Sequence, residues 1–308
     1  EWMLTMNYSA STIKSRERML WRFTEWCEDR GTSRLDQVTG ALVERYPKHM
    51  YQSKDERTGK RRSAGAQCGH LMAVREFFRW CYKKKYLPFN PAAEIELPRQ
   101  EKRLPRNVLT PEQVEKVLAV IDIETPEGLR DRVILETFYS TGIRREELAN
   151  LYVSDVQPNP GTLLIRLGKG KKDRFVPIGE RAMAWIEKYL NEARPKLVKG
   201  RDPDALFLTS LGEGCKPDTL SGWMHKYIEK SGVSDKGACH IFRHAMATTM
   251  LDHGADLRFI QKMLGHSDIG STQIYTHVSL QKLREVHEAT HPASKIARPS
   301  RQKKKKAE

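Results

Sequence analysis

Apolar residues recur at helical spacing through the first ninety or so positions. Over Ser11–Arg30, Ile13, Met19, Leu20, Phe23 and Trp26 fall largely on one face, and Gly31 ends the pattern. A second, shorter helix is predicted over Val38–Tyr51. The clearest periodicity runs from Ala64 to Tyr86, where Leu71, Val74, Phe77, Phe78 and Cys81 share a face; Pro88 and Pro91 follow it. Between the second and third helices lies a polar, net-positive loop, Lys54–Arg62.

The pattern then breaks. Residues 99–108 carry Arg99, Lys102, Arg103 and Arg106 with little apolar content, and read as an extended basic linker after a first domain at 1–98. Thr110-Pro111-Glu112-Gln113 opens a second domain, predicted at 109–292. Thr110 is placed to cap a helix, Pro111 to begin it and Gln113 to complete a capping box. Helices are expected at 111–122 and 129–140. Two short apolar runs, Leu163–Leu167 and Arg174–Ile178, flank Gly168-Lys169-Gly170-Lys171 and predict a small antiparallel sheet with a basic tip. Helical spacing returns at 180–193, 217–230, 241–253, 256–264 and 279–290. The tail, 293–308, carries four consecutive lysines, Lys303–Lys306, and its composition predicts disorder.

Composition narrows the class. The chain has 308 residues, 39% hydrophobic and 30% charged, which suits about two soluble domains with packed cores. No apolar run reaches the length of a membrane span. Residues 1–10 show no leader pattern, and the missing initial Met points to residues preceding Glu1. A formal net charge of +15 favours a polyanionic partner. The five cysteines are scattered, odd in number and without a CxxC pair; they fit a reducing cytosol better than a disulfide scaffold. His240 and His244 form an HxxxH pair, but Ile241 stands where a zinc-protease helix needs glutamate, so no metal site is expected.

Candidate chemistry gathers in five segments: Thr141–Arg144, Gly168–Lys171, His240–Arg243, Leu264–His266 and Ile274–His277. A lone arginine on a helix is usually a surface residue, a lone histidine usually structural, and most tyrosines pack. Two arginines, a loop lysine, two histidines and a tyrosine together suffice to grip a phosphodiester, attack it and protonate the leaving group. Arginine suits the grip because it stays charged and donates in a planar fork. His240 lies three residues before Arg243, so both project from one side of a helix.

In this order and at these spacings the segments resemble the tyrosine recombinase (phage integrase) family, most closely its Xer-like members, over essentially the whole chain. The resemblance implies a mainly α protein. Its N-terminal part would be a helical, SAM-like core-binding domain. Its C-terminal part would be a mostly helical catalytic domain with a small antiparallel β-sheet, the two clamping DNA from opposite sides. It implies Arg144 and Arg243 as the phosphate clamp and Tyr275 as a nucleophile forming a 3′-phosphotyrosyl link. It implies Lys169 as the general acid, although Lys171 and Lys172 are close alternatives by sequence. His240 would be a base toward the tyrosine or a donor to the phosphate, His266 a further donor, and Glu147 an orienting acid. The link keeps the bond energy, so neither a cofactor nor a metal is implied.

The implied partner is double-stranded DNA carrying specific recombination sites, with an affinity that falls steeply with salt. The implied assembly is a homo-tetramer on two sites that passes through a Holliday junction. The 279–290 helix would be exchanged between protomers, and a partner recombinase or accessory protein would fit the same scheme. A cytoplasmic, nucleoid-associated protein follows from such a substrate. The same chemistry would serve a type IB topoisomerase-like nicking and resealing enzyme, and the fold alone would serve a catalytically silent DNA-binding architectural protein. The lysine-rich end mildly favours a mobile-element enzyme over chromosome-dimer resolution.

Overall fold

The computed structural model describes residues 1–56, 58–99, 108–166, 173–234 and 237–265. The chain divides into two units, Glu1–Arg103 and Leu104–Glu308. The first holds helices α1 (Trp2–Thr5), α2 (Ala10–Glu28), α3 (Gly40–Val43), α4 (Tyr46–Gln52) and α5 (Ala64–Lys83). Ser9 and Ser63 start α2 and α5 by accepting from the amides of Thr12 and Ala66, each at 3.2 Å. The apolar faces of α2, α4 and α5 meet around Phe23, Trp26, Tyr46, Leu71, Val74 and Phe78. Phe23 meets Tyr46 and Phe78 edge-on, with centroids 4.9 and 5.8 Å away.

The single helix expected over Val38–Tyr51 is instead broken into α3 and α4. Pro47 lies in the first turn of α4, where its missing N–H costs nothing; further inside a continuous helix it would remove a bond. The polar loop after α4 is also more ordered than its composition suggests. Lys54 and Arg61 pair as an antiparallel bridge, and Asp55 accepts from the Thr58 amide at 3.1 Å, closing a short basic hairpin.

The second unit begins with α6 (Pro111–Ala119), capped as its sequence predicts. The Gln113 amide donates to Thr110 Oγ1 at 3.3 Å, and the Thr110 amide to Gln113 Oε1 at 2.9 Å. Helix α7 (Pro126–Thr141) starts three residues before the expected 129, because Thr125 caps it and Pro126 fills its first turn. It is buried nearly all round, against α9 (Glu180–Glu192), α10 (Arg194–Leu197), α11 (Pro217–Lys230) and α12 (Cys239–Asp252). Its interior charges are paired. Arg130 binds Asp131 and the Leu208 carbonyl and lies 3.7 Å from the Trp223 ring centroid, while Asp131 also accepts from Tyr227.

Helix α8 (Arg145–Ala149) leads into an antiparallel sheet of three strands, β1 (Val156–Gln157), β2 (Thr162–Ile165) and β3 (Arg174–Pro177), in that order. Strand β1 adds to the two strands that the apolar runs predict. Leu163 faces Val176, and Ile165 faces Arg174, so Leu163, Ile165 and Val176 bury one face of the β2–β3 pair. The last described helix is α13 (Leu257–Leu264). Most of the expected basic linker, the 167–172 tip, the 279–290 helix and the tail lie outside the described residues. Among the described residues no helix is long and apolar enough to cross a membrane.

Candidate active site

The Thr141–Arg144 segment is a helix ending. Gly142 stops α7 in the left-handed region, at φ 58°, and its amide donates to the Phe138 carbonyl at 2.8 Å. A Cβ there would lie 2.1 Å from Met246 Cε and 2.9 Å from Leu264 Cδ2, so the conformation favours glycine and any side chain would have to displace these two methyl groups. Replacing Gly142 with alanine is expected to cost about 2–3 kcal/mol, from the unfavourable φ and the displaced methionine. Urea denaturation of the variant checks this. Ile143 is fully buried beyond the turn, and Arg144 follows in extended conformation as the residue that precedes α8.

Arg144 is held on two sides. Its Nη1 donates to Glu147 Oε1 at 2.8 Å and its Nη2 to the Gly265 carbonyl at 2.7 Å. Its own amide donates to Glu147 Oε2 at 2.8 Å, so Glu147 also caps the start of α8. The side chain stays 25% exposed, leaving further N–H groups for a ligand.

Glu147 is the hub of the cluster and only 8% exposed. Arg174, the first residue of β3, grips the same carboxylate in fork fashion, with Nη1 to Oε1 at 2.9 Å and Nη2 to Oε2 at 2.8 Å. Burial alone would raise the pKa of this carboxyl. The hydrogen bonds from Arg174, the Arg144 amide and the Arg144 side chain, together with the charge of Arg174, outweigh burial and hold it at about 2. By sequence Arg174 is only the first residue of a strand. Its partner lies 27 positions away, and the one hint is an arginine beside a lysine-rich tip.

Arg243 comes from the first half of α12 and is 6% exposed. Its Nη1 donates to the Gly142 carbonyl and its Nη2 to the Leu264 carbonyl at 2.7 Å. Leu264 and Gly265 end α13, and Gly265 closes it at φ 60°. Their consecutive carbonyls therefore receive Arg243 and Arg144 respectively, at a helix end whose dipole favours cations. A Cβ on Gly265 would come within 2.8 Å of Arg174 Cζ, so the third guanidinium also packs on this residue.

The structure thus brings Arg144, Glu147 and Arg243 together and adds Arg174. His240 lies one turn before Arg243 on α12 and reaches the surface. The protein packed around it, then the charges of Arg243 and Arg145, lower its pKa below the usual 6.5 and favour the neutral imidazole. Half-buried His244 is shifted down in the same way by burial, His240 and Arg243. Lys169, His266 and Tyr275 lie outside the described residues.

A largely helical unit with a three-stranded sheet and an arginine cluster at a helix C-terminus is the setting of an enzyme that handles phosphodiesters. The chain belongs to the phage integrase family, whose profile matches residues 107–282, and is a tyrosine site-specific recombinase. It is 44% identical over 293 residues to tyrosine recombinase XerC 2 of Ralstonia nicotianae, covering 95% of this chain and 84% of that protein. It is 36% identical over 290 residues to tyrosine recombinase XerD of Proteus mirabilis, covering 94% and 90%. Among solved structures, XerH site-specific recombinase bound to a palindromic difH substrate in a post-cleavage complex matches with a TM-score of 0.72. That match covers 92% of this chain and 80% of that one at 22% identity, a likeness of fold.

Proposed function

We propose that this chain cuts and rejoins double-stranded DNA at specific sites through a 3′-phosphotyrosyl intermediate on Tyr275. The observation that carries this reading is the seating of Arg144 and Arg243 on the consecutive carbonyls of Gly265 and Leu264. Two guanidiniums fixed this way do not reorganise as charge builds on a phosphorus centre, which is how a preorganised site lowers the barrier. Tyr275 Oη attacks phosphorus, the bond to the 5′-oxygen breaks, and Lys169 supplies the proton that oxygen needs. His240, neutral near pH 7, takes the phenolic proton, and His266 donates to a non-bridging oxygen. Glu147 orients the clamp. The ester conserves bond energy, so attack by a 5′-hydroxyl reverses the step without ATP.

The enzyme acts as a homo-tetramer on two sites, exchanging strands through a Holliday junction, with the 279–290 segment passed between neighbouring protomers. Its substrate places it in the cytoplasm, on nucleoid DNA. The net charge of +15 supports a duplex partner held mainly by phosphate contacts. A partner recombinase or accessory protein would act on this assembly without changing the chemistry at each site.

The test uses denaturant-resistant adducts. The wild-type chain, incubated with a fragmented library of DNA containing its natural sites, is expected to trap one class of sequence covalently. Tyr275→Phe should bind the same DNA and trap none. Equal trapping by Tyr275→Phe refutes the assignment. Exchange between two marked fragments by the wild type separates recombination from simple nicking and resealing.

A further inference from the structure

We propose that Arg174 is a positioning residue for strand cleavage. It takes up the negative charge of Glu147, so that Arg144 keeps its own positive charge for the phosphate. The inference rests on the cleavage reading above and adds a residue to it. Glu147 is needed close to Arg144, because it caps α8 and holds the Arg144 side chain. Left alone, the same carboxylate would cancel the charge of the arginine it orients. A second guanidinium resolves the conflict. With Arg174 bound to both carboxylate oxygens, the group of Arg144, Glu147 and Arg174 carries one net positive charge. Arg243 brings the cluster to two, against a phosphodiester that gains negative charge as it is attacked.

Burial strengthens this compensation. The Glu147 side chain is 6% exposed and that of Arg174 is 17%, so water does little to screen the pair. Both terminal nitrogens of Arg174 are committed to Glu147, and its Nε is buried. It therefore acts through Glu147. It also touches the clamp a second time, because the absence of a side chain at Gly265 lets its guanidinium pack on the residue whose carbonyl holds Arg144. The backbone of Arg174 is pinned by pairing with Ile165, so its placement does not depend on Glu147 alone.

A packing role and a charge role predict different rescues. Single-turnover adduct formation is measured on a nicked DNA site trapped by the wild-type chain, with binding followed separately by fluorescence anisotropy. Arg174→Gln stays polar but loses the charge and, being two heavy atoms shorter, the fork to Glu147. It is expected to form adduct about 30-fold to 100-fold more slowly, with affinity changed by less than about threefold. Adding Glu147→Gln removes the uncompensated carboxylate, and the double variant is expected to recover to within about fivefold of Glu147→Gln alone. Arg174→Lys, which keeps the charge without the fork, should fall between wild type and Arg174→Gln.

If the double variant is slowed by the product of the two single losses, Arg174 works by packing and the proposal fails. It fails equally if Arg174→Gln cleaves at the wild-type rate. Thermal midpoints of all variants identify any that do not fold. Should Arg174→Gln be among these, Arg174→Lys made with and without Glu147→Gln decides. The slowing caused by Arg174→Lys should disappear once Glu147 is neutralised, because no carboxylate is then left to compensate. A slowing that persists undiminished in the Glu147→Gln background belongs to packing and overturns the proposal. Absence of adduct from the wild type sinks the cleavage reading itself, whereas a wild-type adduct without rescue sinks only the role of Arg174.

Discussion

Arg243→Ala is expected to slow adduct formation about a thousand-fold, at the upper end of what losing one preorganised donor costs. The reason lies in what the side chain does besides meeting a phosphate. Its two terminal nitrogens bridge the Gly142 carbonyl at the end of α7 and the Leu264 carbonyl at the end of α13. Alanine would remove the cation and leave both carbonyls short of a donor, each worth about 1–3 kcal/mol where water cannot replace it. The turn that carries Arg144 would lose its tie to Leu264, the neighbour of the residue Arg144 holds. Arg243→Lys should recover little, remaining about a hundred-fold slow, because an ammonium cannot span two carbonyls as a planar fork does. Single-turnover rates, corrected for the folded fraction by circular dichroism, check both. A loss below tenfold in Arg243→Ala would remove this arginine from the clamp.

Glu147→Gln is expected to lower folding stability by about 3 kcal/mol at neutral pH, the equivalent of holding a carboxyl at about 2 against its ordinary 4.5. Because the value is depressed, the folded state prefers the ionised form, and the contribution is complete above pH 4.5. It is lost as pH falls from there through about 2, where the native carboxyl finally binds its proton. The gap between wild type and Glu147→Gln in urea titrations should therefore be constant from pH 7 to 5 and shrink below 4.5. A gap that stays constant to pH 3 would mean that the carboxylate is not held by its arginine partners. Cleavage is a separate readout, since Glu147→Gln leaves the clamp more positive while loosening its geometry.

Much of the helical framework was legible because its signals are local. The Thr110–Gln113 box and the apolar faces of α2 and α5 each depend on residues within a few turns. The break between α3 and α4 was not legible, since apolar spacing continues across it and the position of Pro47 within a turn decides the outcome. Strand β1, two residues long, is too short to leave a periodicity. At the site, Arg144, Glu147 and Arg243 were recognisable as chemistry from their motifs. That Glu147 serves two arginines was not, because Arg174 meets it only through the packing of β3 beside α8.

By itself the sequence determined the chemical inventory, most of the helical segments and some of their caps, and membership of a family of DNA strand-transfer enzymes. Only the tertiary structure decided which charges meet, and so which are spent on one another and which remain for a ligand. Helix caps are settled by neighbours a few residues apart. Charge compensation is settled by distance and burial in space, and here three guanidiniums from three separate elements converge on the end of a fourth, where two carbonyls and one bare glycine receive them.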